Sequence, residues 1–147
     1  MKFSEVTTGR VFVIRLEDGE IIHDQIEHFA RHHQVKCASI IALGGIDKGS
    51  ILIAGPEDGR SVKIIPAEIM LDNVFEITGT GTIFPDKNNN PLVHMHISCG
   101  RNDKTYTGCI QRGVKVWQVL EIILTEITNC TSQRIADSIT GFKLLHP

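Results

Sequence analysis

The chain has 147 residues, enough for one domain with a sizeable core. Its 41% apolar and 22% charged residues are ordinary for a globular domain, and the net charge of −2 provides no overall basic field for nucleic acid. No apolar run approaches the roughly 20 residues that cross a bilayer, and the first ten residues lack the apolar core of a signal peptide. We therefore predict a cytoplasmic protein with no membrane partner, whose widely spaced cysteines stay reduced.

The first elements in the chain are predicted to be a strand and a helix. Residues 9–16 alternate and are rich in β-branched side chains, which is typical of a strand. Asp24 is a suitable N-cap for a helix over about residues 25–33. The inner side of that helix is predicted to carry Ile26, Phe29 and Ala30.

Three histidines cluster on or near this helix: His28, His32 and His33. His28 and His32 lie one turn apart and could share a metal ion. A solvated helix face explains the same spacing, and we favour that interpretation.

The rest of the chain is predicted to be mostly strands. Residues 114–128 are dense in Val, Ile, Thr and Trp, which favours a long, centrally placed strand. Glu121 within it is interpreted as paired, functional or exposed at an edge. Gly79 and Gly81 indicate a bulge or a close contact. The other predicted strands or extended segments are 36–46, 48–54, 61–65, 67–71 and 73–84, and residues 85–91 are predicted to be an exposed loop.

These signals predict an α+β fold: about seven strands in a largely antiparallel sheet, with one or two flanking helices. We expect a single domain over residues 1–147, with its core at about 9–128. Residues 129–147 are interpreted as a polar tail, a loop that docks on the surface or on a neighbouring chain.

The most informative segment is residues 91–113, which predicts a β-hairpin. Strand side chains alternate between faces, so His94 and His96 share one face. If the turn is centred on Asn102–Asp103, residue 96 pairs with residue 109 and Cys109 faces the same way. Two histidines and one cysteine form a three-ligand zinc set with one position open, as in catalytic zinc sites.

Simpler interpretations of the same residues stay open. His94 and His96 are also explained as two surface histidines, and Cys109 as a small buried apolar residue. A turn one residue longer or shorter would place Cys109 on the opposite face. Glu76, Glu121 and Arg101 are candidate catalytic assistants at such a zinc ion, although the sequence does not place them near it.

The segments GRVFVIRL, ASIIALGGIDKGSIL, NVFEITGTGTI, HMHISC and TGCI, in this order, resemble the plant-and-prokaryote conserved (PPC) domain, over about Gly9–Thr128. The resemblance implies an α+β fold on an antiparallel sheet and a homotrimer. Cys109 stands where this family usually has histidine, which keeps a zinc ligand but changes its softness. The site is also similar to that of zinc-dependent acetolactate decarboxylases.

DNA binding is implied only indirectly. Plant members of the family carry an AT-hook with an Arg-Gly-Arg-Pro core, which this sequence lacks, so it resembles the stand-alone prokaryotic type. Prokaryotic members carry a DNA-binding label by analogy with the plant proteins. Four basic residues near one hairpin could form a patch in a trimer: Arg101, Lys104, Arg112 and Lys115.

Three hypotheses follow from the sequence. The protein is a trimeric zinc protein that binds or acts on a small molecule, a DNA-associated module, or a protein-interaction scaffold in which the metal only stabilises the fold. We adopt the first, with its substrate and fourth metal ligand left open.

Overall fold

The computed structural model describes residues 1–60, 64–110, 113–138 and 140–147. Among these residues, no helix is long and apolar enough to cross a membrane. The described elements, in chain order, are β1 (Thr7–Glu17), α1 (Ile22–His32), β2 (Cys37–Ile46), β3 (Ile51–Pro56), β4 (Pro66–Met70), β5 (Phe75–Pro85), β6 (Pro91–Arg101), β7 (Lys104–Ile110), β8 (Val116–Thr128), β9 (Gln133–Ala136) and β10 (Lys143–His146).

Eight of these strands form one antiparallel sheet in the order β1-β8-β2-β5-β6-β7-β3-β4. The predicted α+β fold on a largely antiparallel sheet is therefore confirmed, with eight strands in the main sheet. The strand predicted at residues 114–128 is β8, which is long and has a neighbour on each side, but it lies second from the β1 edge and not at the centre of the sheet. Part of the predicted extended segment at 61–65, residues 61–63, lies outside the described residues.

The two faces of the sheet differ in burial, since side chains alternate along each strand. The buried face packs against α1, which contributes Ile22, Ile26 and Ala30 to the core. On that face a Cβ added to Gly79 would lie 2.6 Å from Ile97 Cγ2. β5 and β6 stay in register throughout, so Gly79 and Gly81 serve close contact rather than a bulge.

The helix begins earlier than predicted, and the proposed N-cap at Asp24 was wrong. Ile21 is the N-cap residue, and Asp24 lies in the first turn of α1. The reason is a tertiary contact: Ile21 bridges to Lys115, and the Ile22 N–H donates to the Val114 carbonyl at 3.1 Å. This contact satisfies a helix N–H that would otherwise favour a side-chain cap.

The tail also differs from the prediction of a docked loop. β9 and β10 form a separate two-stranded antiparallel hairpin with a continuous register from Ala136–Lys143 to Gln133–His146. Arg134 links this hairpin to the main sheet, because its Nη2 donates to Thr82 Oγ1 of β5 at 2.9 Å. This contact brings the β9–β10 hairpin close to His94, because Thr82 is the cross-strand partner of His94.

Candidate metal centre

The β6–β7 hairpin places His94, His96 and Cys109 together. Arg101 pairs with Lys104, so the turn residues are Asn102 and Asp103, and Asn102 has a φ of 53° that suits a tight turn. His96 is directly opposite Cys109, which confirms the predicted register. Met95 and Ile97 point into the core, and this fixes both histidines on the exposed face.

The ligand atoms of His94, His96 and Cys109, referred to below as the triad, converge. The Nε2 atoms of His94 and His96 are 3.2 Å apart, and both rings and the Cys109 thiol have ligand atoms within 4.8 Å of one another. Two nitrogens bound to a tetrahedral zinc at about 2.0–2.1 Å are separated by about 3.3 Å. The histidine pair already has this spacing. A zinc-bound sulfur lies about 3.6 Å from such a nitrogen, so the Cys109 sulfur would move inward by about 1.2 Å at most.

The electrostatic surroundings differ between the nitrogen and sulfur ligands. Desolvation lowers the pKa of His94, and the charges of Arg134 and His96 lower it further. A lowered pKa favours the neutral imidazole that binds metals. Burial raises the pKa of the Cys109 thiol, whose Sγ donates to the Ile110 carbonyl at 3.6 Å. Metal binding would therefore release the thiol proton.

Arg134 is a residue of this site that sequence reasoning missed. Its guanidinium lies over Thr82, the cross-strand partner of His94, and its Cζ is 5.9 Å from the centroid of the Phe84 ring. Its charge acts on both His94 and Cys109. The contact joins residues 52 positions apart, and residues 133–136 have no apolar–polar alternation that would have indicated a strand there.

The triad continues an exposed apolar row on the same face of the sheet. Cross-strand pairing connects His96 with Thr80, then Ile41, Ile123 and Val13. Val13 is 82% exposed, Ile41 55% and Ile123 38%. Apolar side chains this exposed, side by side, are unusual on the face of a monomer and typical of an interaction surface.

The architecture can be compared with known proteins. The model of the Plants and Prokaryotes Conserved (PCC) domain matches residues 3–128, a range that contains the whole main sheet. The chain belongs to this family. The resemblance to this family that the sequence motifs indicated is thereby confirmed.

Solved structures share the PCC fold. A PPC protein from Pyrococcus horikoshii is 21% identical, with a TM-score of 0.83, covering 100% of this chain and 98% of that one. A metal-containing protein from Archaeoglobus fulgidus is 24% identical, with a TM-score of 0.82 and full coverage of both chains. A proposed DNA-binding protein from Bacteroides thetaiotaomicron is 17% identical, with a TM-score of 0.76 and 96% coverage of each chain. At these identities the likeness shows the fold alone.

A curated relative extends far beyond this PCC domain. The bifunctional protein GlmU of Synechococcus sp. is 24% identical over 140 residues, which is 93% of this chain and 20% of the relative. The chain thus spans about one fifth of the length of that relative.

The three candidate catalytic assistants lie apart from the triad. Glu76 is exposed on the same face but four residues along β5 from Thr80, a separation of about 13 Å. Glu121 is three strands away, or about 14 Å. Arg101 donates to the Val74 carbonyl at 3.4 Å, at the end of the hairpin. The structure therefore does not bring these side chains to His94, His96 and Cys109.

The predicted basic patch is partly neutralised within the PCC domain. Lys104 pairs with Asp72 at 2.9 Å, and Lys115 lies 3.6 Å from Asp47. Arg112 lies outside the described residues. The lysines of the patch thus already have acidic partners.

Proposed function

We propose that this protein is a cytoplasmic homotrimer that binds zinc through His94, His96 and Cys109. The fourth coordination position is then open to a small molecule that the protein binds or converts. The observation that carries the proposal is the convergence of three ligand atoms within 4.8 Å, from two paired strands.

The chemistry of the donor set supports zinc over harder metals. Imidazole suits several transition metals, but thiolate selects zinc or copper(I) over magnesium, calcium and manganese. The similar protein from Archaeoglobus fulgidus is a metal-containing protein, which agrees with a metal in this fold. A zinc ion held by three protein ligands supplies a Lewis acid for a carbonyl, or an activated water.

The homotrimer is supported by the exposed apolar row. The row begins at Val13 on β1 and reaches Thr80, beside His96, so an interface built on it would run next to the metal site. A neighbouring chain would then shield the triad and exclude water from the open position. Charged residues are absent from the row itself, as is usual at the centre of an interface.

Two measurements on purified protein test this proposal. Elemental analysis should find about one zinc per chain in the parent protein and almost none in a His94→Ala/His96→Ala variant. Sedimentation equilibrium should give the mass of three 16.3 kDa chains, and an Ile41→Lys substitution in the row should lower it. A parent protein that is free of metal would refute the metal centre, and a monomeric parent would refute the trimer.

DNA binding is the second candidate, favoured by the names of similar proteins such as the one from Bacteroides thetaiotaomicron. The net charge of −2 and the acidic partners of Lys104 and Lys115 weigh against it. A titration with duplex DNA at several salt concentrations decides between the two candidates, because phosphate contacts give a steep salt dependence. Binding that stays undetectable at low salt removes this candidate.

A further inference from the structure

Arg134 is a cation beside the metal triad, and no acidic side chain of the described part of the chain forms an ion pair with it. Its hydrogen-bond acceptors are neutral oxygens: Nη2 donates to Thr82 Oγ1 at 2.9 Å and Nη1 to the Lys143 carbonyl at 3.3 Å. Its Nε is buried without a hydrogen-bond partner.

The carboxylate of Asp86, a residue that bridges to Arg134, already has hydrogen-bond partners. Asp86 forms an isolated bridge with Arg134 through the backbone, but its carboxylate accepts hydrogen bonds from Asn88 and Asn90. A half-buried guanidinium usually acquires a counter-ion, because desolvating an unpaired charge is costly.

We infer that Arg134 binds the anionic group of the ligand at the zinc site, and that this ligand is a small molecule carrying a carboxylate or phosphate. The inference rests on the proposed function. The guanidinium has more N–H donors than its two neutral acceptors use, and its planar fork matches both kinds of oxyanion. A second oxygen of the same molecule would occupy the open position on the metal.

The β9–β10 hairpin fixes the position of Arg134. The pairing of β9 with β10 places residue 134 opposite Leu145, in a register that continues to residue 146. Thr82 holds the guanidinium beside residue 94, and the ring of Phe84 lies under it. The hairpin thus supports one side chain at a defined position, as a ligand-binding group requires.

The test is calorimetric titration of the zinc-loaded protein with three probes: pyruvate, inorganic phosphate and pyruvamide, the neutral amide of pyruvate. We expect pyruvate or phosphate to bind, and pyruvamide to bind at least about tenfold more weakly than pyruvate if the carboxylate is the recognised group. The Arg134→Gln variant should keep its zinc and lose affinity for the anion by about 10- to 100-fold, the usual effect of removing a charged hydrogen-bond donor. Arg134→Lys, which keeps the charge but not the fork, should fall between the two.

Arg101→Gln is the matched control, because it removes an exposed arginine at the hairpin end and should leave anion binding unchanged. If Arg134→Gln unfolds, Arg134→Lys and Thr82→Val carry the test, since both keep a positive charge at residue 134. Equal anion affinity in the parent and the Arg134 variants overturns the inference, as does a parent that binds neither anion. Loss of zinc from Arg134→Gln would show that the arginine supports the Cys109 ligand and does not bind the anion, and this result would also overturn the inference. A parent protein without zinc refutes the proposed function instead, so the two failures are distinguishable.

Discussion

Two histidine clusters in this protein have similar spacing but different surroundings. In the strand cluster, the ring centroids of His94 and His96 are 5.0 Å apart and the rings are inclined by 80°. In the helix cluster, His28 and His32 are 6.3 Å apart and nearly parallel, at 14°. Only the strand cluster has a third ligand atom nearby, from Cys109, and within the described ranges no other group of three ligand residues converges.

The comparison shows what makes a ligand set. The helix histidines project from one element into solvent, and His33 packs on the Phe29 ring at 4.3 Å instead of facing its neighbours' nitrogens. The strand histidines converge with a side chain from a second element, held opposite them by backbone pairing. Close imidazoles alone are a weak indication of a metal site, and a third converging ligand from another strand makes it a stronger one.

The largest expected effect is the loss of zinc when the strand histidines are removed, with removal of the helix histidines as the comparison. His94→Ala/His96→Ala should abolish high-affinity zinc binding, because one cysteine alone is a poor ligand set. His28→Ala/His32→Ala should leave zinc content at the parent level. Both are measured by elemental analysis after dialysis against metal-free buffer. If the helix variant loses zinc and the strand variant keeps it, the two clusters have been assigned the wrong way round.

The second prediction concerns the third ligand. Cys109→Ala should weaken zinc binding by about a hundredfold or more, since a complete site contributes about 10–16 kcal/mol over four ligands. Cys109→His should retain zinc, because imidazole also binds this metal and the register keeps residue 109 opposite His96. Competition with a coloured chelator measures both affinities. Unchanged affinity in Cys109→Ala would exclude the thiol from the site.

The third prediction separates a functional metal from a structural one. The core behind the triad is apolar, with Met95 and Ile97 fully buried, so chelated protein should stay folded at 25 °C. Its melting temperature should fall by roughly 8–16 °C. Free zinc at a thousandfold excess over its Kd adds about 4 kcal/mol to the free energy of unfolding, and chelation removes this contribution. Circular dichroism with and without chelator measures this. Unfolding on chelation would support the scaffold hypothesis instead.

The smallest expected effect is on the melting temperature, when the ion pair between Arg10 and Glu126 beside the helix histidines is removed. The Arg10 guanidinium donates two hydrogen bonds to the Glu126 carboxylate, of 2.7 and 2.8 Å, and the Arg10 backbone N–H donates a third at 3.2 Å. Nη2 of Arg10 also donates to the His33 carbonyl. The hydrogen bonds from Arg10 hold the pKa of the Glu126 carboxyl below its usual range. Glu126→Gln should therefore lower the melting temperature by a few degrees at pH 7, roughly 2–4 °C, and leave zinc content unchanged.

The pH dependence of this pair has a definite sign. Because the folded-state pKa of Glu126 is lowered, the stabilisation is present above the unfolded pKa of about 4.3 and is lost as the pH falls through the folded value. The difference in melting temperature between parent and Glu126→Gln should therefore shrink below about pH 4. Glu121→Gln, an exposed carboxylate on the same strand, is the matched control and should have no effect. A difference that persists at low pH would contradict the ion-pair explanation.

Local sequence signals predicted the hairpin well and the tail poorly. The register of residues 96 and 109 depended only on the turn at Asn102–Asp103, a signal contained in a few residues. Arg134 could not be predicted in the same way, because its place beside the site depends on a long-range contact with Thr82. The helix start was wrong for a related reason, since Val114 and Lys115 replace a side-chain cap with backbone contacts.

X-ray absorption at the zinc edge of the purified protein would identify the ligands of the metal. We predict zinc with two nitrogen ligands at about 2.0–2.1 Å and one sulfur at about 2.3 Å, and the sulfur signal should disappear in Cys109→His. A zinc spectrum without sulfur, or a protein without zinc, would contradict this prediction.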